Sequence, residues 1–194
     1  MEIKEHLLTP NEWSRPGSRL RQVLGVVMHW TANPHADALA NVRFFENRKA
    51  GMAGYGSAHY VIGQTGEVVR CIPETEVAYH CGSSKADPAS GKVYTDLARE
   101  LFGAYCTAST SPNFCTLGIE MCPTDEAGTF TEATEAAAVE LVADMLRRYK
   151  LGTRSVVTHH GVVGWKDCPR LWVVRPELFE AFKLKVAVAI GEVV

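Results

Sequence analysis

The sequence predicts an α/β fold: a single domain with a mixed central β-sheet flanked by helices. Three observations carry that expectation. Short, valine-rich apolar runs with the length of buried strands alternate with segments whose apolar residues recur at helical spacing. One pair of runs, SAHYVI and EVVRCI, is separated only by GQTG, which signals a hairpin and hence one antiparallel pair. The 194 residues, 46% hydrophobic and 22% charged, suffice for one sizeable core without forcing a second.

Taken in order, residues 1–22 contain Pro10, Pro16 and Gly17, and the first twenty of them read as an irregular arm packed on a domain spanning 23–186. QVLGVVMHWT reads as a buried strand ending near His29 and Trp30. Residues 36–49 place Ala38, Leu39, Val42 and Phe45 at helical spacing, and Gly51, Gly54 and Gly56 then open a loop. After the hairpin, EVAYHC is a third short apolar run, and residues 82–92 form a long polar loop. Residues 94–105 are expected to be helical, TLGIEMC to be a buried strand, and PTDEAG a turn. From 131 to 150 the apolar residues follow the helical period closely. Thr131, or Thr129 with Glu132, supplies the N-cap, and Gly152 is the expected stop. RSVVTH is the last expected strand. PELFEAFKLKVAVAI opens with proline at a helix start and should fold back as a helix, leaving 187–194 as a tail.

A formal charge of −2 advertises no nucleic-acid partner, and no apolar run approaches the ~20 residues that span a bilayer. The start, MEIKEHLL, leads into no apolar region of a secretory signal, so synthesis in the cytoplasm without a standard leader is expected. The six cysteines sit in a chain too long to need staples. Five are expected to be buried reduced thiols, with monomer the default state.

Cys168 differs, because three potential metal donors sit at or just beyond strand ends. His29 ends VVMH, His159 ends SVVTH, and Cys168 follows in GVVGWKDCP, two residues after Lys166. Imidazole and thiolate are good zinc ligands, and a catalytic site needs three protein ligands with one position open. The alternative for each histidine is a hydrogen-bonded rim residue. Glu120, flanked by Ile119 and Met121 in an apolar strand, is costly to bury unless ionised against a partner or metal, and burial would raise its pKa toward the range of a general base. A structural ion pair with an arginine is its alternative.

The segments VVMHWTAN, GYGSAHYVIG, AYHCGS, LGIEMC and VVTHHGVVGWKDCP, in this order and spacing, resemble the zinc-dependent N-acetylmuramoyl-L-alanine amidase family. That family includes phage endolysins, bacterial autolysins and peptidoglycan recognition proteins. The VVGWKDC loop and the SRPG of the arm look most like its prophage and sporulation branch, and the likeness covers about residues 10–175. The resemblance implies a peptidoglycan-recognition-protein-like amidase fold and a Zn2+ ion held by His29, His159 and Cys168. Counting back from Cys168 without gaps would select His160, whereas aligning the strand end selects His159, the expected ligand.

Some members use a tyrosine just before the histidine of the hairpin strand as base. That position is Ala58 here, while Glu120 matches the glutamate used by the endolysin branch. Lys166 matches a lysine that stabilises the oxyanion, against the alternative of an exposed loop lysine. His80 matches a position lining the substrate groove, and Trp30 is a further candidate for substrate contact. The implied reaction is hydrolysis of the amide between the lactyl group of N-acetylmuramic acid and L-alanine in peptidoglycan, after release to the wall by a holin-type pore or lysis. Two alternatives stand beside it. One is a non-catalytic peptidoglycan-binding module, although such modules typically lose the cysteine present here as Cys168. The other is a muropeptide-recycling amidase with a soluble substrate.

Overall fold

The computed structural model describes residues 1–193. Six strands, β1 (Ile3–Glu5), β2 (Gly25–Trp30), β3 (Tyr60–Ile62), β4 (Val68–Arg70), β5 (Thr116–Met121) and β6 (Val156–Thr158), form one sheet in the order β1-β4-β3-β5-β2-β6. Every neighbouring pair is parallel except the β3–β4 hairpin, so the sheet is mixed as expected. Six α-helices accompany it: α1 (Ala38–Asn47), α2 (Asp96–Phe102), α3 (Glu132–Tyr149), α4 (His159–Val163), α5 (Arg170–Val174) and α6 (Pro176–Ile190).

Alternation along the central strands divides the core. Val26 and Met28 of β2, with Leu117, Ile119 and Met121 of β5, point to one face, where Leu141, Val142 and Met145 of α3 and Phe182 and Val186 of α6 cover them. Each fully buried large side chain there contributes roughly 1.5–3 kcal/mol. Trp172 of α5 closes this layer by packing against Phe179 and Phe182, with ring centroids 5.1 and 5.0 Å away.

The opposite face carries two separate covers. Ala38, Val42 and Phe45 of α1 lie over Val61 and Val69, while α2 and α4 bring Ala98, Phe102, Val162 and Val163 onto Val27 and Val157. Between the covers, residues at the carboxyl ends of β2 and β5 line a cleft. In largely parallel sheets this is where ligands bind.

Thr131 is the N-cap of α3, its side chain accepting from the Thr134 N–H, and Glu132, Glu135, Arg147 and Arg148 complement the helix dipole. The helix stops at Lys150, in the left-handed region with φ 56°, and not at the expected Gly152.

Other expectations also need correction. The arm is not wholly irregular: the Lys4 level of β1 pairs with Val69 of β4, making the arm an edge strand. The apolar run EVAYHC joins no named strand of the sheet. Its backbone is held by irregular contacts, among them the Val77 N–H donating to Ser18 O at 2.8 Å. The last strand ends at Thr158, and His159 opens α4. The helix α6 covers the segment PELFEAFKLKVAVAI as expected, and Val194, the last residue of the expected tail, lies outside the described residues. All six cysteines are buried and free, and no described helix is long and apolar enough to cross a membrane.

Candidate functional site

His29 and Glu120 face each other across the parallel β2–β5 ladder, each one residue before the end of its strand. They share a face of the sheet, opposite to the one on which Met28 and Ile119 are buried. His159 is delivered by the turn from β6 into α4, where the Thr158 hydroxyl accepts the Gly161 N–H at 2.9 Å and fixes the helix start. The following loop is closed by the His160 N–H, which donates to Cys168 O at 3.0 Å, and the His160 ring contacts Lys166 O through Nδ1 at 3.1 Å. His160 therefore shapes the loop, while His159 and Cys168 point inward.

One donor atom from each of His29, His159 and Cys168 lies within 4.8 Å of the others. Cys168 Sγ is 3.6 Å from His29 Nδ1, close to the about 3.5 Å expected between a sulfur and a nitrogen on one tetrahedral zinc ion. The three residues are 1%, 5% and 4% exposed. His159 Nδ1 is buried without a hydrogen-bond partner, a cost that a metal bond would remove. Burial, with the neighbouring imidazoles and Lys166, holds His29 well below its ordinary pKa. Burial, Lys166 and His160 push His159 down to about 3. Both imidazoles are thus neutral and available as ligands. Burial and the nearby Glu120 raise the Cys168 thiol, against the opposing charge of Lys166. Two neutral imidazoles and a thiol with matching spacing fit a zinc ion, and among the described residues no further His, Cys, Asp or Glu joins the cluster.

Beside this cluster opens a cleft of about 800 Å³, lined by Trp30, His80, Glu120 and Lys166 together with Arg48, Tyr55 and Tyr79. Glu120 Oε2 is buried and has no partner, so the ion pair with an arginine that sequence leaves open is not formed. Burial lifts the Glu120 carboxyl to about 8, against the opposing fields of Lys166 and Arg48. Lys166 is exposed on the loop, yet it reaches the cleft and its charge acts on His29, His159 and Glu120. The Trp30 indole N–H donates to Asp167 O at 3.2 Å, which ties the cleft wall to the Cys168 loop.

His80 contacts His29 Nε2 through Nδ1 at 3.1 Å and Thr116 Oγ1 through Nε2 at 3.2 Å. Both ring nitrogens are therefore engaged inside the protein. Asn113 holds its backbone: Oδ1 accepts from the N–H groups of His80, Cys81 and Gly82 at 3.1, 2.8 and 3.1 Å. Sequence reasoning did not single out Asn113, Thr116 or Arg48, and nothing in their local patterns marks them.

Comparison with known proteins follows the geometry. Residues 19–171 match the family model described as N-acetylmuramoyl-L-alanine amidase. A probable N-acetylmuramoyl-L-alanine amidase of Bacillus licheniformis is 32% identical over 191 residues, covering 98% of this chain and 49% of its own length. The amidase CwlL of the same organism is 32% identical over 197 residues, covering 98% and 48%. The chain thus spans about half the length of the curated relatives it matches. Among solved structures, a mutant endolysin from Bacillus subtilis superposes with a TM-score of 0.69 at 22% identity, over 96% of this chain and 99% of that one, and so shares its fold. A mixed sheet with this cleft, a match across most of the chain, and relatives of one kind lead to one assignment: the chain belongs to the N-acetylmuramoyl-L-alanine amidase family.

Proposed function

We propose that this chain hydrolyses the amide between the lactyl group of N-acetylmuramic acid and L-alanine in peptidoglycan, using a zinc ion held by His29, His159 and Cys168. One observation carries the reading: three buried N, N and S donors converge at the floor of an open cleft, beside a buried carboxylate oxygen of Glu120 that has no protein partner. A zinc ion bound there supplies Lewis acidity and lowers the pKa of a bound water.

The protein's own residues supply the rest. Glu120 Oε2 takes a proton from the attacking water and returns it to the departing L-alanine nitrogen. A raised carboxyl pKa suits that exchange, since the group must both accept and release a proton near neutral pH. Lys166, on the rim, holds its ammonium toward the negative charge that develops on the attacked carbonyl oxygen. Trp30 walls the cleft and is placed to contact the substrate.

A structural metal site would call for a fourth protein donor, and the cluster has three among the described residues. The reading places the protein at the cell wall, as a lytic enzyme acting on intact sacculi.

The test is digestion of purified sacculi, scoring new L-alanine amino groups for wild type, Glu120→Ala and chelator-treated protein. Release by wild type alone is expected. Release by Glu120→Ala at the wild-type rate would remove Glu120 from the mechanism. No release by wild type that binds zinc would reassign the cleft to binding alone or to soluble muropeptides.

A further inference from the structure

We infer that Thr116 and His80 form a buried relay that presets the tautomer of His29, so that His29 offers Nδ1, and only Nδ1, to the metal. The inference rests on the metal-site reading above and deepens it. It also makes His80 a positioning residue acting through His29, in place of a group that touches substrate.

The argument follows the protons from an atom whose role is unambiguous. The Pro112 carbonyl can only accept, and Thr116 Oγ1 lies 2.7 Å from it, so the single hydroxyl proton of Thr116 is committed there. Toward His80 Nε2, at 3.2 Å, Thr116 Oγ1 can therefore only accept, and the Thr116 carbonyl at 3.4 Å offers a second acceptor. The Cys81 thiol, 3.5 Å from Thr116 Oγ1 and 3.9 Å from His80 Nε2, has its nearer acceptor in the Thr116 hydroxyl, so His80 Nε2 carries the hydrogen. A neutral ring that is protonated on Nε2 presents a bare lone pair on Nδ1. That lone pair meets His29 Nε2 at 3.1 Å, so His29 Nε2 carries the hydrogen in turn. His29 Nδ1 is left bare, and it is the atom that faces Cys168 Sγ at 3.6 Å.

The surroundings hold this arrangement in place. The three-way clamp of Asn113 on residues 80–82 fixes the backbone that carries the His80 ring. Gly118 gives the ring its seat: a Cβ at that position would lie 2.6 Å from His80 Cγ. His80 is 8% exposed with both nitrogens satisfied, which leaves it little to offer a ligand in the cleft. A ligand imidazole held from behind in this way has its orientation and tautomer fixed before the metal arrives, and loss of such support typically weakens metal binding 10–100-fold.

Chelator-stripped protein with ¹⁵N-labelled histidine reports the tautomers directly by long-range ¹H–¹⁵N NMR, and competition against a chromophoric chelator reports zinc affinity. In wild type we expect Nε2–H on both His29 and His80. In His80→Ala we expect His29 to become a tautomer mixture and zinc affinity to fall 10–100-fold. His80→Gln, whose carbonyl can accept from His29 Nε2–H and whose amide can donate to Thr116, should restore most of the affinity. Thr116→Val, which removes only the hydroxyl, should loosen the His80 tautomer and serves as the test if His80→Ala does not fold. An unchanged His29 tautomer with zinc affinity within twofold of wild type in folded His80→Ala or Thr116→Val would overturn the relay. A wild type that binds no zinc would instead overturn the metal-site reading, while its His29 tautomer would still decide the relay.

Discussion

Replacing Glu120 by glutamine should make the metal-free protein more stable while disabling it. Burial lifts this carboxyl from an ordinary 4.5 to about 8, despite Lys166 and Arg48. A raised acid pKa means that the folded state holds its proton where the unfolded chain has released it, so stability falls as pH rises from about 4.5 to about 8. At pH 7 the penalty is about 3 kcal/mol, whereas at pH 5 it is below about 1 kcal/mol. Glutamine cannot ionise and carries no such slope. Any constant cost of burying its amide cancels when the two pH values are compared. Guanidinium unfolding of both proteins in excess chelator, at pH 5 and 7, should therefore show the gap in favour of Glu120→Gln widening by about 2 kcal/mol. Amidase activity of the zinc-loaded variant should fall by about 10²–10⁴. Parallel pH profiles for the two proteins would refute the reasoning, because they would mean that Glu120 ionises in the cleft as freely as in water.

The buried histidines act in the opposite direction at lower pH. Burial holds His159 at about 3 and His59 at about 4, with His29 and His80 also well below 6.5, so the unfolded chain binds protons first and stability drops as pH falls from 6.5 toward 4. Circular dichroism against pH should show the metal-free protein unfolding in that window after losing several kcal/mol; a native signal unchanged down to pH 4 would contradict this. Gly118→Ala would drive a methyl group into the His80 ring, with 2.6 Å to Cγ and 2.7 Å to Nδ1. Denaturation should register a loss of about 1–3 kcal/mol, and zinc titration a weaker site. Phe182, fully buried between α3 and Trp172, should cost about 3–5 kcal/mol when cut to alanine, and a shift equivalent to less than 1 kcal/mol would mean that the α6 layer is not part of the core.

The central strands and long helices are legible in the sequence because their signals are long and periodic. β2, β5, α3 and α6 each bury a continuous face, and that demand is written into residue after residue. β1 is not legible, since Ile-Lys-Glu at a sheet edge carries one half-buried side chain and two exposed ones. EVAYHC has the pattern of a strand but not the partners. Asn113, far along the chain, takes its last N–H groups. α3 stops at Lys150 because that residue takes the left-handed position itself and the Leu151 N–H closes back on Leu146 O at 2.9 Å, a cap that needs no glycine.

At the site, His29, Glu120 and Cys168 stand out as polar groups in or beside apolar runs. Aligning the strand end already selects His159 over His160; what the sequence does not show is that a helix starts there and turns the His160 ring toward Lys166 O. The link from Thr116 through His80 to His29 spans separate segments of chain and leaves no local trace.

The pairing of His29 with Glu120 across adjacent strands makes their separation a property of the β-sheet repeat, not of side-chain packing. A slip of β5 by a single residue would carry Glu120 into the layer beneath α3 and bring Ile119 up into the cleft. The placement of the Glu120 carboxyl beside His29 and the pairing of the sheet are thus read from one ladder of backbone hydrogen bonds. Sequence drift elsewhere can reshape the walls of the cleft while the distance between Glu120 and His29 stays constant.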